Sequence, residues 1–169
     1  MNEFTNYSPP CWNEWFMKHV YLAAEKSKDP RTKVGAVLVK DNHIISTGYN
    51  GFPVGVIDSL DRYNDRESKY SFIVHAEHNS ILTAARMGMS VEGSTLYTQG
   101  IPCNECSKAI IQSGIKYIVV HKQWPTMIPK WVESCKISEM MFNEADIRIT
   151  ILNNILGVKG YLDGKVIEV

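Results

Sequence analysis

Two short stretches of the sequence must meet in space, and this requirement constrains the fold more than any other feature. They are His75-Ala76-Glu77 and Pro102-Cys103-Asn104-Glu105-Cys106. An imidazole and two thiolates are zinc ligands, and a catalytic zinc has three protein ligands whereas a structural zinc has four. A Cys-x-x-Cys pair at a helix start can present both sulfurs to one metal, and the helix terminus favours their charged form. We therefore expect one Zn²⁺ per chain, bound by His75, Cys103 and Cys106.

Glu77 lies two residues beyond the histidine and has no ligand role in this scheme. Its carboxylate can take a proton from a water that zinc has activated, since bound zinc lowers the pKa of water to about 7. The strongest alternative is a structural Cys2His2 site, with His78 or His121 as the fourth ligand. That alternative explains neither Pro102 nor Glu77, so we favour the catalytic interpretation. His-x-Glu followed by Pro-Cys-x-x-Cys is typical of zinc-dependent nucleobase deaminases.

Composition limits the class of protein. The 169 residues, 44% of them hydrophobic, are enough for one domain with a real core. Eighteen basic residues balance eighteen acidic ones, which argues against the broad basic face that nucleic-acid binding needs. Four cysteines, two of them committed to metal, indicate a reducing compartment. With no signal peptide and no run long enough to span a membrane, we expect a cytoplasmic domain over 1–169, with its core at about 12–152 and a tail at 153–169.

Hydrophobic periodicity predicts a three-layer α/β/α fold, in which helices cover both faces of a mixed five-stranded sheet. The polar stretch 54–71 is predicted to be a long irregular loop that is either functional or mobile. Asp163-Gly164 predicts a hairpin turn in the tail. The predicted helices are 12–26, 76–87, 103–112 and 131–144, and the predicted strands are 34–39, 43–49, 95–98, 117–120 and 147–152.

Three further stretches are Val34-Gly35-Ala36-Val37, Ser46 to Pro53 and Lys108 to Lys116. With the two metal-binding motifs, they make the chain resemble the deoxycytidylate (dCMP) deaminases of the cytidine deaminase superfamily, from about Trp12 to Ile149. The resemblance implies the cytidine deaminase-like fold and hydrolysis of dCMP to dUMP and ammonia, in pyrimidine nucleotide biosynthesis. The alternatives are a superfamily deaminase acting on tRNA adenosine or single-stranded nucleic acid, and a non-catalytic, zinc-stabilised binding protein.

Four residues are candidates for binding the substrate. By resemblance Arg31 occupies the phosphate position, and its planar guanidinium suits phosphate oxygens. The amide of Asn50 suits a sugar hydroxyl, with local turn chemistry as the alternative. Ala76 is small, so its backbone N–H can approach the base. Trp124 lies in the loop where related enzymes usually carry a tyrosine, and is the candidate for base stacking.

The resemblance also implies regulation, with dCTP as activator and dTTP as inhibitor. The Gly-Tyr-Asn-Gly motif at Gly48-Tyr49-Asn50-Gly51 matches the stretch that helps bind these effectors, so the candidate effector set is Ser46, Thr47, Gly48, Tyr49 and Gly51. The loop from Asp58 to Lys69 could supply cations and a Mg²⁺-bridged triphosphate contact. The alternative is that the motif only shapes the active site. Many relatives are hexamers, which implies a homo-oligomer.

Apart from that triphosphate contact, the three cations of the 54–71 stretch have no assigned role. We interpret Arg62, Arg66 and Lys69 as a solvated face of the loop rather than as part of a site.

Overall fold

A computed structural model describes residues 8–122 and 129–169. The order of strands in its main sheet is β2-β1-β3-β4-β5, and β1 is antiparallel to both of its neighbours while β3, β4 and β5 are parallel. The elements are α1 (Trp12–Ala24), β1 (Gly35–Lys40), β2 (His43–Tyr49), α2 (Leu60–Asn64), α3 (Arg66–Phe72), α4 (Ala76–Arg86), β3 (Thr95–Thr98), α5 (Asn104–Gln112), β4 (Tyr117–His121), α6 (Pro129–Glu144), β5 (Arg148–Leu152), β6 (Lys159–Leu162) and β7 (Lys165–Glu168).

Side chains of the sheet alternate between two apolar cores, as the two-residue period of a strand requires. Along β1, Ala36 and Leu38 face one core, whereas Val37 and Val39 face the other. Helix α1 covers the second core, and helices α4, α5 and α6 contribute to the first. The predicted three-layer fold with a mixed five-stranded sheet is therefore confirmed.

The prediction of an irregular loop over 54–71 is wrong. Two short helices, α2 and α3, occupy most of it. Each begins with a side-chain cap: Ser59 accepts a hydrogen bond from the N–H of Arg62, and Asp65 accepts one from the N–H of Ser68. Neither helix is long enough to show an apolar stripe, so the pattern that predicted the other helices could not detect them.

The C-terminal segment packs on the same chain. Leu156 and Val169 are buried in the core under α1. Strands β6 and β7 form the predicted hairpin, with Asp163 (φ 49°) and Gly164 (φ 76°) in its turn. The turn donates the N–H of Gly164 to the carbonyl of Arg31 at 2.7 Å, and so ties the tail to the segment before β1. No helix within 8–122 and 129–169 combines the length and the apolar character that crossing a membrane requires.

Candidate active site

The two motifs meet at the N-termini of α4 and α5. His75 precedes the first residue of α4, and Cys103 precedes the first residue of α5, with Cys106 one turn later. The ligand atoms of these three residues all lie within 4.8 Å of one another. The Nδ1 atom of His75 is 3.3 Å from the Cys103 sulfur and 3.4 Å from the Cys106 sulfur. A tetrahedral zinc with ordinary Zn–N and Zn–S bonds would separate nitrogen from sulfur by about 3.5 Å, so the three residues fit the metal.

A fourth protein ligand is not present among the described residues. His78 is outside the cluster, although its Nδ1 lies 4.0 Å from the Cys106 sulfur. His121 is committed elsewhere: its Nε2 donates to the carbonyl of Asn154 at 2.8 Å, so its Nδ1 accepts from the Tyr21 hydroxyl at 2.8 Å. Three ligands with an open position correspond to a catalytic site rather than a structural one.

The pKa values of the two cysteine thiols are shifted in opposite directions by their mutual contact. A hydrogen bond from Cys106 and the nearby His75 lower the pKa of Cys103, while contact with Cys103 and burial raise the pKa of Cys106. One sulfur therefore ionises readily and the second resists. A bound divalent cation removes this opposition, because both cysteines coordinate zinc as thiolates.

Glu77 is buried beside the metal ligands. One carboxylate oxygen lies 3.7 Å from the Cys106 sulfur, and the other lies 3.5 Å from the Thr98 hydroxyl. Burial raises the pKa of the Glu77 carboxyl, and this effect is larger than the lowering by the nearby His75 and the further rise caused by Cys103. A carboxyl group whose pKa is shifted upward is better suited to accept and return a proton, which is what general acid–base catalysis needs.

A pocket of about 390 Å³ opens beside this cluster and is large enough for a nucleotide. Its wall includes His75, Glu77 and Cys103, and also two arginines, Arg31 and Arg66. Other parts of the wall come from Asn50, Ala76, helix α6 and the C-terminal hairpin. Residues from distant parts of the sequence thus enclose one space that is lined by two of the metal ligands and by cations.

The segment 29–34 forms one side of the pocket and is held by two buried polar side chains. Asp29 accepts hydrogen bonds from the N–H groups of Arg31 (2.9 Å) and Thr32 (3.2 Å). Asn50 accepts one from the N–H of Val34 at 2.8 Å and donates to the carbonyl of Thr32 at 2.9 Å. These bonds join residues 16 and 18 positions apart, so Asn50 supports the segment before β1 rather than its own turn, and the same residue also lines the pocket.

Two classes of pocket residue were not predicted from the sequence: aromatic side chains and a buried ion pair. Trp131 and Tyr70 provide aromatic surface, with Trp131 edge-on to the His75 ring at 5.8 Å between centroids. Trp124, the predicted stacking residue, lies outside the described residues. The prediction that Lys69 lies on a solvated face is wrong. Its side chain is only 14% exposed and pairs with Asp29 at 2.5 Å. The sequence has no signal that pairs Asp29 with a lysine 40 positions away.

The candidate effector residues are divided between the interior and the surface. Ser46, Gly48 and Gly51 are buried, and the Ser46 hydroxyl donates to the carbonyl of Ser80 in α4 at 2.7 Å. Thr47 and Tyr49 are exposed. None of the five lines the pocket beside the metal ligands.

Comparison with known proteins identifies the family of this site. Residues 10–122 match the family described as "Cytidine and deoxycytidylate deaminase zinc-binding region". The chain belongs to this family. It is a zinc-dependent deaminase of the deoxycytidylate deaminase branch, which confirms the resemblance found from the sequence.

Individual deaminases agree with this assignment. An uncharacterized deaminase of Aliivibrio fischeri is 40% identical over 83% of this chain and 93% of its own length. The deoxycytidylate deaminase of mouse is 41% identical over 64% of this chain, but the match spans only 63% of the mouse protein. The crystal structure of dCMP deaminase from the cyanophage S-TIM5, in complex with dCMP and dUMP, is 26% identical, with a TM-score of 0.65 over 86% of this chain and 100% of that chain.

Proposed function

We propose that this protein hydrolyses dCMP to dUMP and ammonia. The observation that carries the proposal is the shared pocket, which is lined by two of the metal ligands and Glu77 together with Arg31 and Arg66. A nucleoside monophosphate presents a deaminable base and a phosphate in one molecule, so it can use both features at once. The cyanophage relative, whose structure contains dCMP and dUMP, supports this substrate class.

Zinc, held by His75, Cys103 and Cys106, would supply a nucleophile from water at neutral pH. Glu77 accepts the proton that this water loses on attack at carbon 4 of cytosine, and donates it to the ring nitrogen. It then takes a second proton from the new hydroxyl group on carbon 4 and transfers it to the departing amine, so that water and dCMP become dUMP and ammonia. The buried setting of Glu77 suits this work, because burial shifts the pKa of its carboxyl upward, in the direction that general acid–base catalysis needs.

The rest of the nucleotide is bound through the segment 29–34 and its supports. The Arg31 guanidinium binds the phosphate, with Arg66 as a second cation in the same pocket. The side-chain oxygen of Asn50 has a second lone pair beyond the one that Val34 occupies, and accepts a hydrogen bond from a sugar hydroxyl. The backbone N–H of Ala76 faces the base, and Trp131 provides an aromatic wall beside His75.

The proposed regulation by dCTP and dTTP uses the exposed part of the effector set. Thr47 and Tyr49 are the side chains that a nucleotide could reach, while Ser46, Gly48 and Gly51 support the strand beneath them. Substrate saturation with no effector, with dCTP and with dTTP, each with Mg²⁺, tests this part. A real coupling changes substrate affinity by roughly 5- to 150-fold. Three superimposable curves would remove regulation and leave a simple deaminase.

Ammonia release from dCMP, CMP, deoxycytidine and an RNA hairpin tests the substrate. We expect dCMP to be the preferred substrate and deoxycytidine, which lacks the phosphate, to react poorly. Preference for the RNA hairpin would indicate a tRNA-type deaminase instead. No release from any substrate by a zinc-loaded sample would indicate a binding protein.

A further inference from the structure

The buried Asp29 carboxylate beside the pocket makes several polar contacts at once. One of its oxygens accepts the N–H groups of Arg31 and Thr32, and the other contacts the Asn50 amide at 3.2 Å and the Lys69 ammonium at 2.5 Å. Its side chain is 1% exposed. These contacts hold the backbone of Arg31 and Thr32 in place, and so determine where the Arg31 side chain begins.

Lys69 is the ammonium group that compensates this buried carboxylate. It comes from α3, a helix that sequence patterns did not predict, and its side chain is 14% exposed. Removing one member of a buried ion pair leaves an uncompensated charge, which proteins tolerate poorly. By comparison, Lys28 pairs with Asp58 at 2.7 Å, but its side chain is 69% exposed, so that pair is well solvated.

We propose that Lys69 is a positioning residue for phosphate recognition. Through Asp29 it holds the Arg31–Thr32 backbone, and thereby sets where the Arg31 guanidinium meets a substrate phosphate. This inference rests on the proposed function and deepens it. Loss of Lys69 should therefore weaken binding of substrates that carry the phosphate, and should have little effect on the attack at the base.

Lys69→Met tests the proposal, with Lys28→Met as the matched control that removes an exposed ion pair. A misplacement of about 1 Å away from the chemistry can lower a rate by roughly 100-fold. We expect Lys69→Met to lower kcat/KM for dCMP by about 10- to 100-fold, mainly through KM, and to leave deoxycytidine nearly unchanged. Zinc content should stay at the wild-type level. Lys69→Arg, which keeps a charged donor, should recover most of the dCMP activity.

Amide hydrogen exchange of Arg31 and Thr32 gives a readout that does not depend on activity. Both amides should exchange faster in Lys69→Met and not in Lys28→Met, because their bonds to Asp29 loosen. If Lys69→Met does not fold, Lys69→Gln, which keeps a donor without the charge, is measured in its place.

Three results would overturn the proposal. Equal losses on dCMP and deoxycytidine would show that Lys69 only supports the fold. A loss on dCMP with unchanged exchange at Arg31 and Thr32 would show that Lys69 binds the phosphate directly. Wild-type activity in Lys69→Met would show that the pair does not position Arg31. A wild-type protein that does not prefer dCMP over deoxycytidine would refute the proposed function instead, and the exchange experiment would still test the pair.

Discussion

Gly48 and Gly51 belong to the same Gly-Tyr-Asn-Gly motif, but the structure predicts that substitution by alanine destabilises the protein at Gly48 and not at Gly51. A Cβ atom on Gly48 would lie 2.2 Å from the Ala76 carbonyl oxygen and 2.3 Å from the Ser80 nitrogen, both in the backbone of α4. A Cβ atom on Gly51 would meet only the Tyr49 ring, at 3.8 Å. Because a helix backbone cannot yield as a flexible side chain does, Gly48→Ala must move α4 by about 1 Å.

The movement has a cost in both stability and activity. Overpacking of this kind typically costs about 1–3 kcal/mol, and each kcal/mol lowers Tm by roughly 2–4 °C in a domain of this size. We therefore expect Gly48→Ala to lower Tm by about 2–12 °C. Since α4 begins directly after His75 and carries Glu77, a 1 Å displacement should lower kcat by roughly 100-fold.

Thermal unfolding, zinc content and ammonia release from both dCMP and deoxycytidine would measure these effects. Both substrates should lose activity to a similar extent in Gly48→Ala, because the displaced groups act on the base. Gly51→Ala is the matched control and should stay close to wild type in Tm and kcat. Wild-type behaviour of Gly48→Ala, or equal losses in the two variants, would refute the packing argument.

Four further predictions concern the site and its surroundings. Glu77→Gln should keep zinc and lose about 100- to 10,000-fold in kcat, since an amide cannot carry the proton; near-normal turnover with bound metal would contradict the mechanism. Chelation should remove one zinc ion per chain together with the activity, and re-addition of Zn²⁺ should restore it; activity that survives complete zinc loss would exclude the three-ligand site. Arg31→Ala should weaken recognition of dCMP by roughly 1.5–3 kcal/mol, as for a charge-assisted hydrogen bond, while sparing deoxycytidine; equal losses would assign Arg31 to the fold. Burial lowers the pKa of His121, so the unfolded chain binds its proton first and stability should fall as pH drops below about 6.5; urea denaturation of His121→Gln should show a flatter pH dependence, and the exposed His43→Gln should not.

The metal site was predictable from the sequence because its information is local. His75 and Glu77 are two residues apart, and Cys103 and Cys106 are three apart, so each motif needs only one helix start to present its groups. The strands of the main sheet were equally predictable from the sequence. Short apolar runs such as Gly35–Lys40 and Tyr117–His121 indicate buried strands without any knowledge of their neighbours. The turn between β1 and β2 is also local information, because Asp41 and Asn42 (φ 50° and 59°) are residue types that tolerate the left-handed conformation of a hairpin turn.

The tertiary structure alone decided the rest of the pocket. Asp29, Lys69 and Trp131 reach it from three parts of the chain that are far apart in sequence: the connection between α1 and β1, helix α3 and helix α6. Helix α3 is too short for periodicity to reveal, so Lys69 looked like a solvated charge until the fold placed it against Asp29. Local spacing can specify ligands that share a helix start, but a wall built from residues far apart in sequence exists only once long-range packing has brought them together.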